Sequence, residues 1–174
     1  MTDGYHFVTS IELEAPVHVV WDALADSETW PSWWRWLREA EVLESGAEDG
    51  LGRRVRNHIV SPLLYRLTYD GLVTTVEEQC FVEFEASGDL IGIGRFTLQP
   101  TGSGGSMLDF DWVVETPKPW MRAMAFVARP LFIRSHHRLM DDFARGLSRH
   151  LEAPLISVEN RHIDPDGDRA ATQS

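Results

Sequence analysis

The chain has 174 residues, 43% hydrophobic and 25% charged, which is typical of one globular domain of about 100–200 residues. Its formal net charge of −11 repels phosphate groups and argues against a nucleic-acid partner. The single cysteine, Cys80, excludes an intramolecular disulfide, and without a signal-peptide pattern or about 20 consecutive apolar residues we expect a cytoplasmic location.

The first predicted element is a half-buried strand over residues 6–14, because apolar and polar residues alternate there. Pro16 follows, and proline suits the first turn of a helix because it has no N–H group to leave unpaired. The apolar residues after it have the spacing of an amphipathic helix: Val17, Val20, Trp21 and Leu24. A second helix is predicted over residues 30–37, where three tryptophans and a leucine repeat that spacing.

The middle of the chain, residues 38–116, is rich in Val, Thr, Phe and Tyr and is interrupted by glycine and polar clusters. This composition predicts consecutive antiparallel strands joined by hairpins. The strands are placed near residues 39–44, 53–60, 65–77, 80–86, 90–99 and 106–115. With the first strand they make an antiparallel sheet of about seven strands.

After Pro119, a helical pattern runs from Trp120 to about Leu151. One stripe of this helix carries Phe132, His136 and Met140, which indicates that this stripe faces the sheet. The chain becomes polar after this helix, which predicts one domain over residues 1–153 and a disordered tail over residues 154–174.

Two motifs, LEAPVHVVWDALAD (13–26) and WPSWWRWL (30–37), resemble the strand-to-helix motif and the proline–tryptophan second helix of the START-like (SRPBCC) superfamily. Within it, the chain is similar to the polyketide cyclase/dehydrase-like families over residues 6–152, with further similar segments at 88–98 and 128–140. The resemblance implies an α+β helix-grip fold, in which a curved antiparallel sheet wraps a long C-terminal helix and two short helices follow the first strand. It also implies a cavity for an apolar molecule; no catalytic residue set of the family is matched.

Aromatic residues supply most of the candidate ligand contacts. Four of the seven tryptophans lie within residues 30–36. Their indole rings either line the rim of an apolar pocket or simply fill the end of the hydrophobic core. Trp36 lies off the helical stripe of the others, so it is either exposed or ligand-facing. The predicted apolar contacts are Trp33, Trp34, Trp36, Phe110, Trp112, Phe132 and Met140.

Polar residues on the same predicted faces are candidates for orienting a ligand. Asn57, Tyr65 and Tyr69 lie among apolar strand residues and either hydrogen-bond a ligand oxygen or are satisfied within the core. His136 is the first candidate for a catalytic base and Tyr69 the second, although a core histidine bonded to a strand carbonyl is the alternative. Arg95 either points inward and binds an acidic group or points outward into solvent; strand alternation does not decide between them.

The leading hypothesis is a protein that binds an apolar or amphipathic small molecule, lipid- or polyketide-like, between the sheet and the long helix. The alternative is a polyketide cyclase or aromatase that acts in the same cavity. The stretch from Lys118 to Arg138 has five basic and no acidic side chains, so transient contact with an anionic membrane is a third hypothesis and a solvated face its alternative. No cofactor and no metal site are expected, and the chain is expected to be a monomer or a homodimer.

Overall fold

A computed structural model describes residues 4–164, except for the side chains of residues 121, 122 and 124–127. In chain order the elements are β1 (Tyr5–Leu13), α1 (Val17–Ala25), a 3-10 turn (Ser27–Thr29), α2 (Trp30–Trp33), β2 (Leu37–Glu44), β3 (Arg54–Val60), β4 (Arg66–Glu77), β5 (Phe81–Gly88), β6 (Ile91–Pro100), β7 (Ser106–Glu115), α3 (Pro119–His150) and β8 (Leu155–His162). The predicted α+β helix-grip fold is confirmed, with eight strands rather than about seven.

The strands form one antiparallel sheet in the order β2-β3-β4-β5-β6-β7-β1-β8. Hairpins join β2 through β7 in sequence, and β1 lies between β7 and β8. Each strand alternates residues between an inner face, which is covered by α3, and an outer face exposed to solvent. In β7, for example, Phe110 and Trp112 are buried on the inner face while Asp111 is partly exposed.

The eighth strand corrects the expectation that the chain is disordered from residue 154. Leu155–His162 pairs with β1, with Thr9 opposite Asn160 and Ile11 opposite Val158. Thr9 Oγ1 donates a hydrogen bond to Asn160 Oδ1 at 2.8 Å, and Asn160 Nδ2 donates to Asp141 Oδ1 on α3 at 2.7 Å. This strand is polar because side-chain hydrogen bonds help to hold it at the sheet edge, so composition does not reveal it. Residues 165–174 of the predicted tail lie outside the described residues.

The second helix is shorter than its apolar spacing predicts. It ends at Trp33, because Trp34 is extended (φ −107°, ψ 97°) and Leu37 already pairs with Ile59 in the sheet. The repeated spacing reflects packing against α3 instead: the rings of Trp33 and Trp34 both make edge contacts with Phe143, at centroid distances of 5.3 and 5.1 Å. A short run of tryptophans therefore mimics a helical stripe.

The core lies where the C-terminal half of α3 crosses the inner face of the sheet. Phe143, Leu147 and Ala144 on α3 are almost completely buried, as are Ile11 and Leu108 on the strands beneath them. Toward the N-terminal half of α3 this packing gives way to a cavity. Within the described range, none of the helices combines the length and apolar character needed to cross a bilayer.

Candidate functional site

A cavity of about 670 Å³ lies between the inner face of the sheet and α3. Its size falls in the range of small-molecule sites, which are about 300–1,000 Å³. Nine of the residues predicted to contact a ligand line it: Trp34, Asn57, Tyr65, Tyr69, Phe110, Trp112, Phe132, His136 and Met140.

The sheet side of the cavity is a continuous aromatic wall. Phe96 and Phe110 stack with their ring centroids 4.4 Å apart, and Phe84 approaches Trp112 to 5.5 Å. Gly94 lies beneath Phe84, and any side chain at that position would collide with the Phe84 ring. The glycine therefore makes room for an aromatic ring, and the wall follows from inward-facing aromatic residues on neighbouring strands.

Two polar groups interrupt this wall side by side. Asn57 on β3 and Tyr69 on β4 are directly opposite each other in the ladder, so their side chains are neighbours on the inner face. Asn57 Nδ2 donates a hydrogen bond to the Val55 carbonyl at 3.2 Å, which leaves the amide oxygen of Asn57 without a donor among the described residues. The Tyr69 hydroxyl has no hydrogen-bond partner in the described part of the chain, and burial raises its pKa. It therefore remains a protonated donor.

His136 faces the cavity from α3. Its ring stacks on Phe7 at a centroid distance of 3.8 Å with an interplanar angle of 9°. Its Nδ1 atom is buried and makes no hydrogen bond with the described residues. Burial, followed by the proximity of His137 and His162, lowers the pKa of His136 to about 3. The imidazole is therefore neutral at physiological pH. The alternative of a core histidine bonded to a strand carbonyl is not found, because His136 makes no such bond among the described residues.

Tyr65 and Phe132 form the end of the cavity near the start of α3, at an edge-on centroid distance of 5.8 Å. The buried Ser61 and Ser135 hydroxyls lie near the Tyr65 hydroxyl. Burial raises the pKa of Tyr65, and the two serine hydroxyls oppose that rise. Unlike Tyr69, Tyr65 thus has polar side chains of the protein near its hydroxyl.

The structure does not place Trp33, Trp36 or Arg95 in the cavity wall. Trp33 is 8% exposed and packs between Phe143 and His150 in the core. Trp36 points away from the cavity, because its indole N–H donates to the Asp142 carboxylate.

Arg95 lies on the outer face of β6. Its Nε donates to Glu83 Oε2 at 2.7 Å, and its Nη1 lies 3.7 Å from Asp111 Oδ1. Arg95 points outward because it alternates along the strand with Phe96, which is buried. The sequence does not show this, because the neighbouring glycines have no side chains that would indicate which face is buried.

Sequence reasoning missed several residues of the wall, among them Phe7, Phe84 and Arg53. Arg53 is the least expected because it is a charged residue in an apolar chamber. A signal was present: counting back in steps of two from Ile59 through Asn57 and Val55 leads to residue 53 on the inner face. The glycines that precede this strand obscure where its alternation begins.

Three histidines lie around Phe7: His136 and His162 with ring centroids 3.8 and 5.4 Å from it, and His137 at 6.2 Å. Burial lowers the pKa of each. In the part of the chain that the structure describes, no group of three His, Cys, Asp or Glu side chains is arranged to hold a metal ion.

The basic stretch is only partly free. Lys118 Nζ lies 3.1 Å from Asp89 Oδ2, and Arg129 Nη2 lies 3.7 Å from Asp164 Oδ1. Arg134 and Arg138 are exposed on α3.

The family model described as polyketide cyclase/dehydrase and lipid transport matches residues 5–152. The chain belongs to this family. Solved structures share the helix-grip fold of this chain. A START superfamily protein from Mycobacterium smegmatis is 20% identical to it with a TM-score of 0.68, and the alignment covers 84% of this chain and 97% of that one. The Zhui aromatase/cyclase from Streptomyces sp. R1128 is 16% identical with a TM-score of 0.67, covering 86% and 94%.

A third similar structure, a protein from Thermus thermophilus, is 18% identical with a TM-score of 0.71 and covers 84% of this family member and 96% of its own chain. Identities this low establish the shared fold and nothing finer. No curated protein matches the chain.

Proposed function

We propose that this protein binds an apolar or amphipathic small molecule, lipid- or polyketide-like, in the cavity between the sheet and α3. The observation that carries the proposal is a chamber of about 670 Å³ with a continuous aromatic wall and a few polar groups that lack partners within the described chain. Apolar burial supplies the affinity, at about 25 cal/mol per Å² removed from water. The polar groups set the orientation of the ligand.

The proposed orientation uses opposite walls. On the sheet side, the Tyr69 hydroxyl donates to a ligand oxygen and the Asn57 amide oxygen accepts from a ligand hydroxyl. On the helix side, neutral His136 offers one donor or one acceptor nitrogen, according to its tautomer. A ligand that carries oxygen atoms on an apolar skeleton satisfies both walls, whereas a pure hydrocarbon leaves these groups unpaired.

Native mass spectrometry of protein purified without detergent is the direct test. We expect a bound apolar mass that organic extraction releases and that can then be identified. Protein that is homogeneous, empty and unable to take up any added amphiphile would contradict the proposal.

Binding of the neutral fluorophore N-phenylnaphthylamine tests the cavity itself. We expect the double variant Trp112→Ala, Tyr69→Ala to bind it more weakly by about tenfold or more, because both rings belong to the wall. Trp36→Phe is the matched control, since Trp36 is an aromatic residue outside the cavity. Equal loss in both variants, with circular dichroism showing both folded, would remove this cavity assignment.

An enzyme of the cyclase or aromatase type is the second candidate. In such a reaction His136 would accept a proton from a methylene between two carbonyls, the enolate would attack a further carbonyl of the same substrate, and Tyr69 would donate a hydrogen bond to the developing oxyanion. A general base works best with a pKa near the operating pH, and that of His136 is about 3. Because the pKa of His136 is far below the operating pH of a general base, ligand binding is the first candidate function and catalysis the second. Turnover of a poly-β-ketone that survives both His136→Ala and Tyr69→Phe would remove these roles.

Transient contact with a membrane during ligand exchange is a further proposal. Leu64 is 80% and Trp120 46% exposed near the Tyr65 end of the cavity, and the Tyr65 and Trp120 rings are 6.1 Å apart. Exposed apolar side chains beside basic residues suit an anionic bilayer surface. Co-sedimentation with anionic vesicles should fall in Leu64→Ser, Trp120→Ser and with added salt; indifference to lipid charge and salt would contradict it.

A further inference from the structure

Among the described residues that line the cavity, Arg53 is the only lysine or arginine. It lies just before β3, where its carbonyl accepts the Val73 N–H at 2.9 Å and extends the ladder by one position. Around it, Ser45, residues 47–50, Ser27 and Glu78 also border the cavity; we refer to this end as the Arg53 mouth. One guanidinium thus stands at the mouth of an apolar chamber in a chain whose net charge is −11.

The polar groups of Arg53 and Ser27 are incompletely satisfied. Arg53 Nε and Ser27 Oγ are both buried, and neither has a hydrogen-bond partner among the described residues. The only ion pair of Arg53 in the described chain joins Nη2 to Glu28 Oε2 at 3.6 Å, and the Glu28 side chain is 63% exposed. Because Ser27 precedes Glu28, the serine hydroxyl and the guanidinium belong to the same small region. Two donors there lack a good acceptor.

We propose that the Arg53 mouth binds the carboxylate of an amphipathic monocarboxylate ligand whose apolar body fills the cavity. This inference rests on the proposed binding function and names the ligand class. The planar guanidinium matches the two oxygens of a carboxylate with two parallel N–H donors, and the Arg53 side chain, which is 25% exposed, turns this edge toward the cavity when the ligand binds. Such a ligand can replace the long contact between Arg53 and Glu28 with little loss of free energy, because exposed ion pairs are weak.

Carboxylates on the rim narrow the class further. Glu48, Asp49 and Glu78 border the mouth with exposed side chains, and Asp49 Oδ1 accepts the Leu51 N–H at 3.0 Å. Their charge opposes capture of a free inorganic anion or a multiply charged head group. A ligand held mainly by apolar burial overcomes this repulsion with a single charge. The mouth therefore selects a single carboxylate on an apolar chain.

Displacement of N-phenylnaphthylamine by decanoate and by decanol tests the inference. The two competitors have the same chain and differ in the head group, and decanoate is ionised at about pH 7.5 because carboxyl pKa values lie near 4. We expect the wild type to bind decanoate more tightly than decanol by about fivefold or more, as for a charge-assisted hydrogen bond at a partly buried site. In Arg53→Gln we expect this preference to disappear, measured as the ratio of the decanoate and decanol affinities within that variant.

Arg54→Gln is the matched control, because Arg54 is the next residue and its buried Nε also makes no hydrogen bond with the described residues, although it lies 3.2 Å from Glu44 Oε1, whereas Arg54 does not line the cavity. It should keep the wild-type preference. Arg53→Lys should retain part of it, since the charge remains without the planar edge.

Equal affinity of the wild type for decanoate and decanol, or a preference that persists in Arg53→Gln, would overturn the carboxylate site and leave the binding function standing. Failure of the fluorophore and of both competitors to bind the wild type would instead contradict the binding function, and the carboxylate site with it.

Discussion

Polar side chains on the outer face of the sheet differ in their hydrogen bonding from those that face the cavity. On the outer face they are paired: Arg56 makes two hydrogen bonds to Asp70, at 2.8 and 3.0 Å, and Arg95 bonds to Glu83. These contacts lower the pKa of Asp70, with the Arg56 hydrogen bond as the largest cause. In the cavity, Tyr69 on the inner face of the sheet and His136 on the facing helix α3 lie among aromatic rings without hydrogen-bond partners in the described chain.

The difference in hydrogen bonding distinguishes polar groups that are available to a ligand from those that are already paired within the protein. A buried polar group without a partner costs about 1–3 kcal/mol, so a fold selected only for stability would replace it by an apolar residue. Inner-face polar groups are explained if a ligand completes their hydrogen bonds. Outer-face pairs need no ligand, and as exposed ion pairs they add little stability.

The largest effect should separate two adjacent residues of β7. Phe110→Ala on the inner face should lower the free energy of unfolding by about 3–5 kcal/mol, because it removes a buried ring stacked on Phe96. Asp111→Ala on the outer face should cost about 1 kcal/mol or less, because its contacts with His6 and Arg95 are partly exposed. Urea unfolding of both variants measures the difference, and equal costs would refute the contrast between the faces.

The second effect is a loss of stability in acid caused by His136. Burial lowers its pKa from 6.5 to about 3, so the unfolded chain takes up a proton more readily than the folded one. Stability therefore rises with pH across that interval, and acidification from pH 6.5 to about 5 should cost about 2 kcal/mol through this residue.

His136→Gln should remove that part of the pH dependence, measured as the change in unfolding free energy between neutral and acidic pH. Ser135→Ala, its neighbour on α3, controls for disturbance of the helix and should keep the wild-type dependence. The same pH dependence in His136→Gln and the wild type would show that His136 does not titrate as a buried group.

The third effect concerns the two arginines that face opposite ways. Arg95→Gln should lower the unfolding free energy by less than about 1 kcal/mol and leave fluorophore and decanoate affinity unchanged, because its partners are on the outer face. Urea unfolding and fluorescence titration, run beside Arg53→Gln, give both quantities. Altered ligand affinity in Arg95→Gln would mean that the outer face participates in binding.

The smallest effect on stability should come from Tyr69→Phe. The hydroxyl borders the cavity, is not among the fully buried atoms, and has no hydrogen-bond partner in the described chain, so its removal should leave the unfolding free energy unchanged or raise it by no more than about 0.5 kcal/mol. Ligands with a carbonyl oxygen should nevertheless bind more weakly, while a hydrocarbon ligand should be unaffected. Thermal unfolding and competition binding measure these effects. A large destabilisation would show that the hydroxyl has a structural partner.

Most of the fold could be predicted from the sequence. Alternation in β3 and β7 and the stripe on α3 are periodic signals, and each comes from a residue being inside or outside a continuous surface. The motifs at residues 13–26 and 30–37 then led to the family. The failures were β8, a polar strand held by pairing with β1 and by Asn160, and the end of α2, where Leu37 joins the sheet.

The candidate site was predictable where alternation alone decides which face a residue occupies, as for Asn57, Tyr69 and Trp112. The prediction was wrong or incomplete where glycines or a short irregular segment interrupt the alternation, as for Trp36, Arg95 and Arg53.

By itself, the sequence determined the fold class, the long helix over the sheet and the aromatic character of the inner face, because each depends on periodic burial along one segment. Only the tertiary structure decided which polar groups keep a partner. The outward pairing of Arg95, the unpartnered nitrogen of His136 and the position of Arg53 at the cavity mouth each depend on residues distant in the chain. Hydrogen bonds and charge pairs form between specific atoms brought together by packing, and no local pattern records them.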